Sequence, residues 1–221
     1  MKNLTPIYTR FFSVFNLLPV FIFSGASYAS THPATVSDLL ITEIMANPTA
    51  VLDTRGEWFE LFNPTAENID LSGLVLSDDA SSGQVITSAV IEAGSYFVMA
   101  RNGDSNLNGG FTADYVYSSF TLSNTSDQII FTDNTGELLR FDYGAGFVPA
   151  GASMELIDAV MLPENYATTT TTFGAGDFGT PGTAGSFIQP VTPSPVPIPA
   201  AFWLMGSGLL GLAGFSHRQK A

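Results

Sequence analysis

Glu43 and Glu60 are the residues best placed for chemistry. Each interrupts an apolar stripe: Glu43 alternates with Ile41 and Met45, and Glu60 alternates with Trp58 and Phe62. In a strand, alternate residues share a face, so each carboxylate is sent where apolar side chains go. Brought together by neighbouring strands, the pair would bind a cation or act as acid and base. Kept apart, each would accept hydrogen bonds from backbone amides at a strand edge or loop, the usual fate of a buried carboxylate.

A second constellation is Asp104-Ser-Asn106-Leu-Asn108-Gly109. Short oxygen-bearing side chains alternate and a glycine allows the sharp turn, as in the first half of a calcium loop. The second half departs: the twelfth position is Tyr115, and Asp114 comes one residue early. Calcium held by Asp104, Asn106, Asn108 and Asp114 is one reading; a turn between strands is the other.

Much else is missing. The 221-residue chain has no Cys, and its interior has no Lys and only His32, near the front. No Ser-His-Asp, Cys-His or zinc set can be assembled inside the domain. All 20 acidic residues lie between Ala29 and Val196, against only Arg55, Arg101 and Arg140. Such a field repels nucleic-acid phosphates. A non-catalytic role is therefore expected. The competing class is a secreted hydrolase that works through carboxylates, or an accessory module of a secreted nuclease.

The elements that must position these residues read as short strands. Asp38–Ala46, Glu57–Asn63, Ile69–Ser77 (interrupted at Ser72-Gly73), Gln84–Ile91, Tyr96–Arg101, Tyr115–Leu122, Gln128–Thr132, Leu138–Tyr143 and Ser153–Ile157 are rich in branched and aromatic residues. Asn-Pro, Ser-Gly and Asn-Thr-Gly turn signals separate them. This predicts an all-β sandwich, with Trp58 at the centre of its core. Gly73 is expected at a positive φ. Thr168–Thr172, a run of five threonines, reads equally as plain loop or as a site for O-linked sugar.

Both ends differ from the middle. Lys2 and Arg10 precede an apolar run, Phe11–Phe23, and Ser27-Tyr28-Ala29 offers small residues for cleavage before Ser30. Residues 186–195 are a Pro-rich linker. The tail carries Val196, Pro197, Ile198, Pro199 and Ala200, then an apolar run to Phe215, then Arg218 and Lys220. At about 1.5 Å per residue the run spans roughly 22 Å, short for a bilayer core of about 30 Å. The basic tip assigns the tail's end to the cytoplasmic side.

Two resemblances bear on these pieces. Ile41-Thr42-Glu43-Ile44, Glu57–Pro64, Asp70–Gly73, Leu76-Ser77-Asp78, Gly151-Ala152-Ser153 and Gly179-Thr180-Pro181-Gly182 resemble, in order and spacing, the lamin-tail domain. That resemblance implies an immunoglobulin-like β-sandwich over residues 38–185, although Leu74 stands where the family often has Trp. The tail resembles PEP-CTERM sorting signals of the VPLPA type, with Ile198 in place of the commoner Leu. This second likeness implies recognition by an exosortase, a membrane-embedded protease that cuts near the Pro motif. The expected organisation is a signal peptide (1–29), an exposed lead (30–37), the domain (38–185), the linker (186–195) and a sorting signal with one membrane-spanning helix (196–221). The expected partners are signal peptidase, exosortase, the inner membrane and an unidentified surface protein or polysaccharide, with no nucleic acid. The expected location is that of an exported protein, first an inner-membrane-anchored intermediate and then the cell surface or the extracellular space.

Overall fold

Alternating branched and aromatic residues build twelve short strands in the computed structural model, which describes residues 33–185. The signal-peptidase residues Ser27, Ala29 and Ser30 lie outside the described residues. So do Val196, Pro197, Ile198, Pro199, Ala200, Arg218 and Lys220. Among the described residues no helix is long and apolar enough to cross a membrane.

The strands are β1 (Leu40–Met45), β2 (Trp58–Phe62), β3 (Ile69–Asp70), β4 (Val75–Ser77), β5 (Gln84–Val85), β6 (Val90–Ile91), β7 (Tyr96–Ala100), β8 (Tyr115–Val116), β9 (Asp127–Thr132), β10 (Glu137–Tyr143), β11 (Met154–Leu156) and β12 (Tyr166–Thr168). One sheet has the order β12-β11-β1-β2-β7-β8, a second has β10-β9-β4-β5, and β3 pairs with β6. All pairs are antiparallel except β7 with β8. Ile41, Ile44, Phe59, Leu61 and Met99 of the first sheet join Leu76, Ile129, Phe131, Leu139 and Phe141 of the second in one buried cluster. The all-β expectation agrees with this arrangement of multiple sheets, which is consistent with the immunoglobulin-like architecture.

Several details differ from the sequence reading. Trp58 is fully buried, but it does not sit in that core. It packs with Met45, Val98, Ala100 and Phe111 on the other side of the first sheet, with Phe173 against them. The pleat explains this: Phe59 and Leu61 take the inner face of β2, so Trp58, Glu60 and Phe62 take the outer one. A β-bulge overturns the expectation that Glu43 shares a face with Ile41. The register slips between Ile41 and Glu43, leaving Thr42 as the extra residue. The bulge shifts the alternation by one, so Ile41 and Ile44 both face the core while Glu43 and Met45 face outward.

The Ser72-Gly73 turn does more than interrupt a strand, because β3 and β4 belong to different sheets. Gly73 takes φ +88° as expected, and its N–H donates to the Ile86 carbonyl at 2.7 Å. The strand expected over Tyr115–Leu122 stops at Val116. The Tyr117 N–H still reaches the Ala100 carbonyl of β7, but the next two N–H groups, of Ser118 and Ser119, go to the Gln84 side-chain oxygen instead of a strand. The start of the threonine run is strand rather than loop. Thr168 ends β12, and Thr169 is buried, donating to the Ser153 carbonyl.

Candidate functional site

Strand register sets Glu43 directly opposite Glu60 on β2 and opposite Glu155 on β11. Three carboxylates thus form a row across three adjacent strands, and all three side chains are buried. Charges in such a row need hydrogen-bond donors. The segment 177–185, here called the strap, crosses over them and supplies several.

Thr180 donates its N–H to Glu43 Oε1 at 2.8 Å and its hydroxyl to Glu43 Oε2 at 2.7 Å. Gly182 donates its N–H to Glu60 Oε2 at 2.7 Å. Below the row, the Thr42 hydroxyl donates to Glu60 Oε1 at 2.6 Å, and the Ser153 hydroxyl donates to Glu43 Oε1. The bulge at Thr42 is what turns that hydroxyl toward Glu60. Gly185 closes the row so tightly that a methyl group there would collide with the Glu155 carboxylate. Gly179 has Glu43 Oε1, the Phe173 ring and the Trp58 ring packed about where its own Cβ would stand.

Asp177 fastens the start of the strap. Its carboxylate accepts the N–H groups of Thr49 and Ala50 at 3.1 Å, and the Thr49 hydroxyl at 2.7 Å. Phe178 then exchanges backbone bonds of 2.9 Å with Gly151 and Ser153. The fragments Gly151–Ser153 and Gly179–Gly182, far apart in the chain, are therefore neighbours.

Burial dominates the acid–base properties of the row. Desolvation raises the Glu43 carboxyl, opposed by the donors on Ser153 and Thr180. Desolvation likewise pushes Glu60 up to about 8; the Thr42 hydroxyl works against the shift and the neighbouring Glu43 charge adds to it. Neutral pH therefore leaves Glu60 mainly protonated, relieving the repulsion between facing carboxylates. Glu57, on the opposite side of the sheet's end, is raised by burial to about 6. It accepts the Leu122 N–H at 3.1 Å and pairs with Arg101 at 3.4 Å.

The row thus combines the two sequence readings. Glu43 and Glu60 are brought together, and both are occupied with backbone amides and hydroxyls. Sequence reasoning missed Glu155, whose place depends on the β1–β11 register. The signal that could have found it is its position two residues after the Gly151–Ser153 motif.

The residues of the calcium half-loop serve the loop itself. Asp104 Oδ1 accepts the Asn106 N–H at 3.0 Å. Asn108 is buried; its amide nitrogen donates to the carbonyls of Asn102 and Phe111, and its oxygen accepts the N–H groups of Gly110 and Phe111. Asp114 Oδ2 accepts the Val98 N–H at 2.7 Å, extending the edge of β7. These are the bonds of a turn built around Asn108. Among the described residues no group of three or more His, Cys, Asp or Glu side chains is arranged to hold a metal ion.

Beside the strap lies an open cleft of about 600 Å³. Its walls come from residues 110–114, residues 171–173 and the turn at 179–183, and Tyr96 flanks it.

Fold and site together define an all-β domain whose outer sheet face is sealed by a carboxylate-anchored strap. The chain belongs to the Lamin Tail Domain family, whose model matches residues 32–145, more than half of the sequence. The strap and strands β11 and β12 lie beyond the matched residues, yet β11 and β12 complete the first sheet and the strap bonds to its carboxylates. Among curated proteins no match was found.

Proposed function

We propose that this chain is an exported, non-catalytic lamin-tail protein of the bacterial envelope or extracellular matrix. In this reading its domain is an immunoglobulin-like sandwich that serves as a structural or binding module. The leader is removed before Ser30. The tail is held in the inner membrane as a single helix and cut by an exosortase near Val196–Ala200.

The observation that carries the non-catalytic reading is the state of the carboxylate row. The two side chains best suited to acid–base work are covered by the strap and bonded to it. A general acid or base must reach its substrate's proton, whereas these groups hold the fold. Support for export and sorting comes from the two ends of the sequence: a basic and apolar leader, and a Pro motif followed by a short apolar run and a basic tip.

The test is the intact mass of the protein recovered from its final location. A chain that begins at Ser30 and lacks residues 201–221 is expected. Recovery of the peptide containing Trp203 and His217 would make the tail an ordinary anchor. Hydrolysis assayed with and without divalent metal is expected to show no turnover. Turnover lost in Glu60→Gln would favour the hydrolase.

A further inference from the structure

We infer that the cleft beside the strap is a binding site for a neutral polysaccharide. Its lining decides the ligand class. Thr112, Thr171 and Thr172 line it as exposed residues, together with the exposed Asp114. No Lys, Arg or His lines it, so an anionic ligand would find no counter-charge inside an already acidic protein. The many hydroxyls make it a poor match for a purely apolar ligand. A sugar chain satisfies what remains: its hydroxyls both donate and accept, suiting threonine hydroxyls and a carboxylate.

Tyr96 adds the apolar part. It lines the cleft and is backed by Phe62, stacked at 4.6 Å between ring centroids. A ring held in this way is a rigid surface for the C–H face of a sugar. The volume falls within the usual range of about 300–1,000 Å³ for small-molecule sites. The cleft is open to solvent rather than enclosed, as a polymer needs.

The walls are already built, so little ordering is lost on binding. Asn108 holds Gly110 and Phe111, and Asp114 is fixed to Val98 through one oxygen. Gly179 donates to the Thr171 carbonyl at 2.7 Å. Gly110 and Gly174 meet so closely that a Cβ on Gly110 would stand 2.8 Å from the Gly174 Cα. The strap itself runs on away from Tyr96. It reaches Gly185 against Glu155 on β11, three strands from Tyr96 on β7.

This inference deepens the matrix-binding reading and rests on it only for the source of the polysaccharide. A retained tail would overturn the sorting proposal and leave the cleft intact, and the converse also holds. The experiment is native electrophoresis of the full chain through gels containing dextran, mixed-linkage β-glucan, galactomannan or, as the anionic arm, alginate.

Retardation by at least one neutral polymer and none by alginate is expected. Tyr96→Ala should weaken it at least tenfold, Tyr96→Phe should retain it, and the pair Thr171→Ala and Thr172→Ala should weaken it several-fold. Thermal melts of each variant separate loss of binding from loss of fold; if Tyr96→Ala unfolds, the threonine pair decides. Migration unaffected by all three neutral polymers overturns the proposal. So does retardation that survives both the Tyr96→Ala and the threonine substitutions, or retardation by alginate.

Discussion

Glu43 and Glu60 face each other across neighbouring antiparallel strands, and each accepts a backbone N–H from the same four-residue turn, Thr180 bonding one and Gly182 the other. A cross-strand pair of acids would ordinarily repel. Here the strap's donors and a retained proton make it the anchor for the outer layer of the domain.

The retained proton has a sign that can be measured. Burial pushes the Glu60 carboxyl up to about 8 in the folded protein, from the ordinary 4.5 of a free glutamate. Its raised value contributes stability that is fully present below about pH 4.5 and is lost as pH rises through 8. Glu43 is shifted in the same direction. Stability is expected to fall between pH 5 and pH 9 by an amount on the order of a few kcal/mol, and the melting temperature with it. Glu60→Gln should flatten that slope. A profile rising over this interval would show that the row is ionised when folded.

The strap's fit against the row leaves no space for a methyl group at Gly185, and little at Gly179. Gly185→Ala and Gly179→Ala are each expected to destabilise by about 1–3 kcal/mol, the usual cost of overpacking. Denaturant unfolding measures this. Gly144→Ala is the control, because nothing stands near its Cβ position.

Asp177 accepts three donors from Thr49 and Ala50. Asp177→Ala should cost about 1–3 kcal/mol by leaving those donors without their acceptor. Hydrogen exchange should speed up at Thr49, Ala50, Thr180 and Gly182 more than in β9. Equal acceleration everywhere would mean that the strap does not open on its own.

Asn108 satisfies four backbone groups of its loop. Asn108→Ala is expected to lower stability by about 1–3 kcal/mol, with or without calcium. Millimolar calcium is expected to leave the melting temperature of the full chain unchanged. A calcium-dependent rise that disappears in Asp104→Ala would establish the loop as a cation site.

Processing of the tail can be uncoupled from its apolar run. Replacing Pro197 and Pro199 by Ala keeps that run and removes the motif. Full-length protein is then expected to accumulate in the inner membrane, as judged by mass and fractionation. Normal trimming of that double variant would remove the motif from the mechanism.

What the sequence determined by itself is local. Alternating apolar residues in Glu57–Asn63 specify a strand and place Trp58, Glu60 and Phe62 on one face, because the pleat has period two. Ser72-Gly73 specifies a turn, because only glycine takes φ +88° without strain. The absence of Cys, and of Lys inside the domain, restricts the available chemistry without any coordinates.

What only the tertiary structure decided is non-local. The bulge at Thr42 reverses the expected facing of Glu43 relative to Ile41, since one extra residue shifts every later side chain to the other face. The β1–β11 register brings Glu155 into the row from more than a hundred residues away. The donors that Glu43 and Glu60 meet depend on what lies over them, and the strap that supplies those donors comes from the far end of the domain. Trp58 makes the same point: its burial follows from its size and position in β2, but which side of the sheet forms the larger core is settled by the second sheet packing against Phe59 and Leu61.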